Sequence, residues 1–176
     1  MDLVTDYNPD WPTSFERIRD VIAEKLGPTL LAIEHVGSTA VPGMVAKPII
    51  DLDVVIEPDR FETVKGLLGE LGYRHEGDLG IPEREAFKLD GPGPAAALPP
   101  HHLYVCPRHS AELRRHRAFR AFLHAHPDWA SRLSALKRSL CDRHGDDREA
   151  YMAGKDALVR EITGLAVHAA TEMGSA

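Results

Sequence analysis

The segment Lys47-Pro48-Ile49-Ile50-Asp51-Leu52-Asp53-Val54-Val55-Ile56 decides how this chain is read. Its Ile and Val content predicts a strand over 48–56. Successive strand side chains point to opposite faces, so Ile50, Leu52, Val54 and Ile56 form one apolar face. Asp51 and Asp53 share the other face with Ile49 and Val55. Aspartate is depleted in strands, and two on one face stand roughly 7 Å apart, where they repel unless something cationic intervenes. A divalent metal with oxygen ligands is one solution. A solvent-facing edge or pairing with arginines is the other, although the apolar flanks predict a central strand.

Upstream, Glu34-His35-Val36-Gly37-Ser38-Thr39 reads as a strand running into a tight turn. Glycine lets the backbone approach a ligand closely, and successive N–H groups with hydroxyls can cradle phosphate oxygens. His35, inside an apolar strand, is expected to be a buried, hydrogen-bonded residue that orients the turn. Strand, Gly-Ser turn and then a strand bearing Asp-x-Asp is the order found in nucleotidyltransferases of the polymerase-β type, which this segment resembles.

Working outward, Asp10-Trp11-Pro12 starts a helix that Gly27-Pro28 stops, and Thr29 to Val36 is a strand. Phe61, Val64, Leu67, Leu68 and Leu71 mark an amphipathic helix over 59–71. Glu85 to Asp90 and His101 to Cys106 are strands, and the Gly- and Pro-rich 91–100 between them is a flexible loop or a lid. Helices are expected at about 110–126, 128–144 and 147–170, the last capped by Asp146 with Glu149. The fold class is therefore α+β: a small mixed β-sheet with packed helices, followed by a helical C-terminal part. A single domain is expected over 1–176, sheet-containing to about 106 and helical from about 107 to 172.

The 176 residues, 27% of them charged and 43% hydrophobic, are enough for a core without disulfide or metal. Cys106 and Cys141 lie far apart and read as reduced cytoplasmic thiols. No membrane span or signal peptide is expected, and the net charge of −6 argues against bulk coating of nucleic acid. The charge is uneven. Residues 1–106 hold 9 Lys/Arg against 18 Asp/Glu, whereas 107–148 hold 10 against 5. An acidic part and a basic part could meet across a cleft.

A closer resemblance follows from Glu34-His35-Val36-Gly37-Ser38-Thr39-Ala40-Val41-Pro42-Gly43 with Ala46-Lys47-Pro48-Ile49-Ile50-Asp51. These resemble the hallmark of the GrpB family. Tyr7-Asn8-Pro9-Asp10-Trp11-Pro12, His101-His102-Leu103-Tyr104-Val105, His116-Arg117-Ala118-Phe119-Arg120 and Asp147 to Lys155 are similar to its other blocks. The resemblance implies the nucleotidyltransferase fold and, through it, metal-dependent transfer of a nucleotidyl group from a nucleoside triphosphate to an acceptor. Such chemistry uses two metals and usually three carboxylates. A related domain is appended to some dephospho-CoA kinases, which implies a kinase-type partner and a non-catalytic alternative: a nucleotide- or CoA-like phosphate-ligand module.

Carried over by position, Asp51 and Asp53 are the catalytic pair and, with His102, the expected ligands of a divalent metal, Mg²⁺ or Mn²⁺. A third carboxylate is not obvious; His102 and Tyr104 share a strand face, and Asp90 ends another strand. A His-containing set fits Mn²⁺ or Zn²⁺ better than Mg²⁺. Gly37, Ser38, Thr39, Lys47, Lys88, Arg148, Tyr151 and Lys155 are the expected contacts of a nucleotide or other phosphate-bearing small molecule. Arg148, Tyr151 and Lys155 share a helical stripe that continues as Leu158 and Ile162, which points them into a cleft. Lys47 and Lys88 flank or face the carboxylates. Arg114, Arg117, Arg120 and His124 form a second basic stripe, read either as an anion site or as a solvated face.

Overall fold

In a computed structural model, residues 3–145 and 147–174 are described. Five strands form one sheet: β1 (Leu30–Val36), β2 (Ile50–Ile56), β3 (Tyr73–Gly77), β4 (Glu85–Leu89) and β5 (His101–Pro107). The order is β1-β2-β5-β4-β3, with β2 and β5 parallel and every other neighbour antiparallel. The helices are α1 (Trp11–Leu26), α2 (Phe61–Glu70), α3 (Ala111–Ala125), α4 (Pro127–His144) and α5 (Arg148–Gly174). This is the expected α+β arrangement of a mixed sheet followed by helices.

The segment that anchored the reading is central, with β1 on one side and β5 on the other. Its apolar residues Ile50, Leu52, Val54 and Ile56 are all buried. They pack with Ile18, Ile22 and Leu26 of α1 and Val64 and Leu68 of α2 in the main core. The opposite face, which carries the aspartates, is covered by α3, α4 and α5. Val41, Met44, Leu123, Leu133, Leu158 and Ile162 form a second apolar cluster there.

Two expectations needed correction. The sequence reading leaves 73–77 without a strand, because Arg74, His75 and Glu76 hide the alternation, yet this segment pairs with β4 as the outer strand. An edge strand with one solvated side tolerates such residues. The 91–100 segment is not a free loop. It holds a short 3₁₀ turn at Pro94–Ala97, Ala95 is fully buried, and Gly91 N–H donates to Gly72 O at 3.1 Å. The cap expected from Asp146 lies outside the described residues; Asp147 Oδ1 accepts the Ala150 N–H at 3.0 Å.

Two close approaches set the helical layer. At Gly154 a Cβ would stand 2.4 Å from Leu140 Cδ2, so the missing side chain lets α4 sit against the α5 backbone. Beside it, Val45 N–H donates to Ser134 Oγ at 3.1 Å and ties α4 to the segment that leads into β2.

Leu52 is fully buried between the layers, whereas Leu31 is half exposed. Leu52→Ala is expected to cost roughly 2–5 kcal/mol in denaturant unfolding, and Leu31→Ala less than about 0.5 kcal/mol.

Candidate functional site

The register places Asp51 opposite Val36 and His102, and Asp53 opposite Glu34 and Tyr104. All share the face turned toward α3–α5. The two acids meet different fates there. Asp51 is one-third exposed and bonds His102 Nδ1 through Oδ1 at 2.9 Å. Asp53 is wholly buried, its Oδ2 accepting from His116 Nδ1 at 2.8 Å. The other ring nitrogen of His116 lies 3.2 Å from Glu112 Oε1.

His116 therefore lies between two carboxylates. Burial works against its charge, but the bonds to Asp53 and Glu112 outweigh burial and lift it to about 9. Burial raises the Asp53 carboxyl, and Oδ1 has no hydrogen-bond partner. The His116 bond holds the Glu112 carboxyl below its usual range. The imidazolium thus joins α3 to the middle of the sheet.

The basic stripe of α3 serves the same join. Arg117 donates to Glu34 Oε1 at 2.8 Å, and Arg120 reaches Glu34 Oε2 at 3.0 Å and His35 O at 2.6 Å. Burial raises the Glu34 carboxyl, yet Arg120 and Arg117 together hold it below the usual range. His124 Nε2 meets Ala40 O at 2.8 Å, and Arg114 Nη1 donates to His109 O. The stripe is engaged by the protein's own acceptors, while Arg114 and His124 stay exposed to solvent.

The Gly-Ser turn follows β1 directly. Gly37 has φ +71°, and a Cβ there would stand 2.6 Å from Asp51 Oδ2. Glycine is required twice over, by backbone conformation and by the carboxylate lying against it. His35 supports the turn as expected. Its Nε2 is 3.0 Å from Thr39 Oγ1 and its ring stacks on Phe15, while burial pulls it down to about 4, so it stays neutral.

Between this turn and the helices lies a cleft with two lobes of about 300 and 290 Å³. Ser38, Asp51, Tyr104, Lys137 and Lys155 line both lobes. One lobe adds Thr39, Lys47, Arg148 and Tyr151, so most of the expected ligand contacts do come together. Lys47 and Lys155 stand over the Tyr151 ring, at 4.8 and 5.9 Å from its centre. Burial lowers both amines, and Arg148 and Lys155 lower Lys47 further. The other lobe adds Arg84, whose guanidinium lies 4.4 Å over the Tyr104 ring, with Arg115 and Phe119.

Lys88 stands farther from the acids than expected. It sits on β4 opposite Arg74 and lines an adjoining hollow of about 600 Å³, which shares Ile49, His102, Tyr104 and Arg148 with one lobe of the cleft. Strand order explains this, because β5 stands between β4 and β2. His101, on the other face of β5 from His102, bonds Tyr73 Oη and Pro99 O. Asp90, weighed as a third carboxylate, is taken by Arg74 at 2.7 Å.

Lys137 was missed. Only 4% exposed, it donates to Ser38 Oγ at 2.6 Å and to Val45 O at 2.8 Å. Its signal was present: Leu133, Lys137 and Leu140 recur at helical spacing, which puts a lysine on a buried stripe. His116 was missed because its partners are remote in sequence, apart from Glu112 four residues before it.

Asp51, Asp53 and His102 do not form a metal-holding set. Among the described residues no group of three or more His, Cys, Asp or Glu is arranged to hold a metal ion. Asp53 is engaged by His116 and Asp51 by His102, so this donor set does not fit a two-metal centre as arranged.

Comparison with known proteins gives a family match and a fold match. The family model described as GrpB protein matches residues 3–164. A Pseudomonas aeruginosa relative, UPF0157 protein PA4798, is 40% identical over 164 residues, covering 92% of this chain and 66% of its own length. Bacillus subtilis YqkA is 33% identical over 157 residues, 88% of this chain and 44% of its own. The chain thus spans about half to two thirds of the length of these relatives. The crystal structure of GrpB from Enterococcus faecalis aligns with TM-score 0.81 at 32% identity, covering 94% of this chain and 97% of that one. The Cid1 poly(U) polymerase aligns with TM-score 0.54 at 12% identity, over 78% of this chain and 43% of its own, which shows a shared nucleotidyltransferase-like fold.

Two outcomes follow from this geometry. Gly37→Ala should cost at least ~1 kcal/mol, and combining it with Asp51→Ala should cost less than the sum of the two, read from denaturant midpoints. His116, lifted to about 9 from an ordinary 6.5, contributes stability that is complete below about pH 6.5 and lost as pH rises through about 9. Unfolding free energy should therefore fall by roughly 1–3 kcal/mol across that window, and His116→Gln should flatten the fall.

Proposed function

The chain belongs to the GrpB family, and on that footing we propose that its cleft binds the phosphates of a nucleotide or another phosphate-bearing small molecule. The observation that carries this reading is the crowding of Lys47, Arg148 and Lys155 in one lobe together with Ser38 and Thr39 of the turn. Among the described residues none of the three is ion-paired to a carboxylate. Cations gathered and partly desolvated without ion-pair partners repel, and a polyanion entering between them relieves that cost. Arg148 suits bidentate contact with phosphate oxygens, whereas Lys47 and Lys155 act as point charges. Tyr151, only 2% exposed, lies beneath both amines and holds them on the wall of that lobe. The solved Cid1 structures include one bound to MgATP, which supports a nucleotide as the first ligand to test.

Transfer of a nucleotidyl group is the second reading. Asp51 favours it, as the one expected catalytic carboxylate that opens onto the cleft, held beside the turn where phosphates would lie. Asp53 has no comparable place, because His116 and α3 cover it.

Calorimetric titration with ATP distinguishes these. Wild-type protein should bind, Lys155→Met and Arg148→Ala should each weaken binding about tenfold or more, and Lys88→Ala should leave it unchanged. Pyrophosphate release that Asp51→Asn abolishes supports transfer, and binding without turnover supports the module alone. No binding of ATP, CoA or pyrophosphate at millimolar concentration contradicts both.

A further inference from the structure

We propose that Ser38 and Lys137 form a nucleophile–base pair, with Ser38 Oγ attacking the phosphorus of a phosphoanhydride bound in the cleft. The proposal takes its substrate class from the phosphate-binding reading, but its chemistry stands on separate geometry. Lys137 Nζ lies 2.6 Å from Ser38 Oγ, and its other partner is the Val45 carbonyl at 2.8 Å. A buried ammonium kept for stability is ordinarily paired with a carboxylate. Lys137 is 4% exposed and is bonded instead to a hydroxyl and one carbonyl.

The hydroxyl is also presented to solvent space. Ser38 follows Gly37, whose φ of +71° turns the chain sharply out of β1, and it opens the short 3₁₀ turn Ser38–Ala40. It lines both lobes of the cleft, so a ligand in either meets it. Lys137 reaches the same oxygen from α4 and lines the same two lobes.

Burial holds the Lys137 amine down at about 7, with Lys155 on α5 opposing its charge and Asp51 on β2 favouring it. Lys47, His102 and Arg148 stand along the wall of one lobe. Arg84, Glu112, Arg115 and His116 stand along the other. Near neutral pH a substantial fraction of Lys137 is therefore free amine, whose lone pair can take the hydroxyl proton.

The step balances without a further reactant. The Oγ–P bond forms, the P–O bond to the leaving phosphate or pyrophosphate breaks, and the Ser38 proton passes to Lys137 Nζ. Lys155 and Arg148 meet the charge of the leaving anion. The product is a phosphorylated or nucleotidylated Ser38, which gives a transfer reaction a covalent intermediate on the protein's own chain.

A fluorophosphonate probe tests the pair directly, since Ser38 Oγ would displace its fluoride. Peptide mass spectrometry should place the label on Ser38, with a rate that rises through about pH 7. Ser38→Ala should not label, and folded Lys137→Met should label about 100-fold or more slower. If Lys137→Met does not fold by circular dichroism, the wild-type pH profile decides: a rise near neutrality supports the pair and a flat profile overturns it. Protein that binds ATP but stays unlabelled between about pH 6 and about pH 9 also overturns it. Labelling that bound ATP slows supports the shared site. Labelling in protein that shows no ATP binding supports the pair and overturns the phosphate-binding reading.

Discussion

A central strand with two aspartates on one face cannot leave both uncompensated, and much of the helical layer answers that constraint. Asp53, fully buried, is met by the His116 imidazolium, which Glu112 holds from its other side. That join places α3 across the sheet, and Arg117 and Arg120 repeat it one strand over at Glu34. With α3 fixed, α4 and α5 close the remaining face, and Gly154 lets them approach each other. Only Asp51 is left opening onto space, and that space is the cleft.

The cleft is electrostatically the inverse of the strand face below it. One aspartate lies at its floor, while Lys47, Lys137, Arg148 and Lys155 enter from the loop and the helices. Burial lowers all three lysine amines, most deeply at Lys137. Such an arrangement is costly when empty of anions and favourable when one enters, a property of binding sites more than of structural ion pairs. Within the nucleotidyltransferase-like fold, amines gather at the Gly-Ser turn beside the one aspartate that opens onto the cleft. The fold alone therefore does not specify the chemistry.

The sequence made the central strand, its apolar face and the Gly-Ser turn legible, because each is a local pattern: alternation, β-branched content, and a glycine before hydroxyls. The Arg148, Tyr151 and Lys155 stripe was legible for the same reason, as one face of a helix that turns apolar further on. What stayed hidden depended on sequence-distant partners. Whether Asp53 faces a ligand or a histidine turns on His116, sixty-three residues away. Whether Arg117 and Arg120 bind anions turns on Glu34, far upstream in the chain. Lys88 looked close to the acids because the interposition of β5 between β4 and β2 is a matter of strand order, which spacing does not reveal. Lys137 was visible as a charge on an apolar stripe, but its pairing with Ser38 was not.

The account rests on the Gly37–Ser38 turn and the amines opposite it forming one polyanion site. A crystal structure with a non-hydrolysable nucleoside triphosphate analogue tests this most directly. The account predicts phosphate oxygens against the turn and within hydrogen-bonding distance of Lys155 and Arg148. An analogue seated in the hollow beside Lys88, or held with its phosphates in solvent, would contradict it.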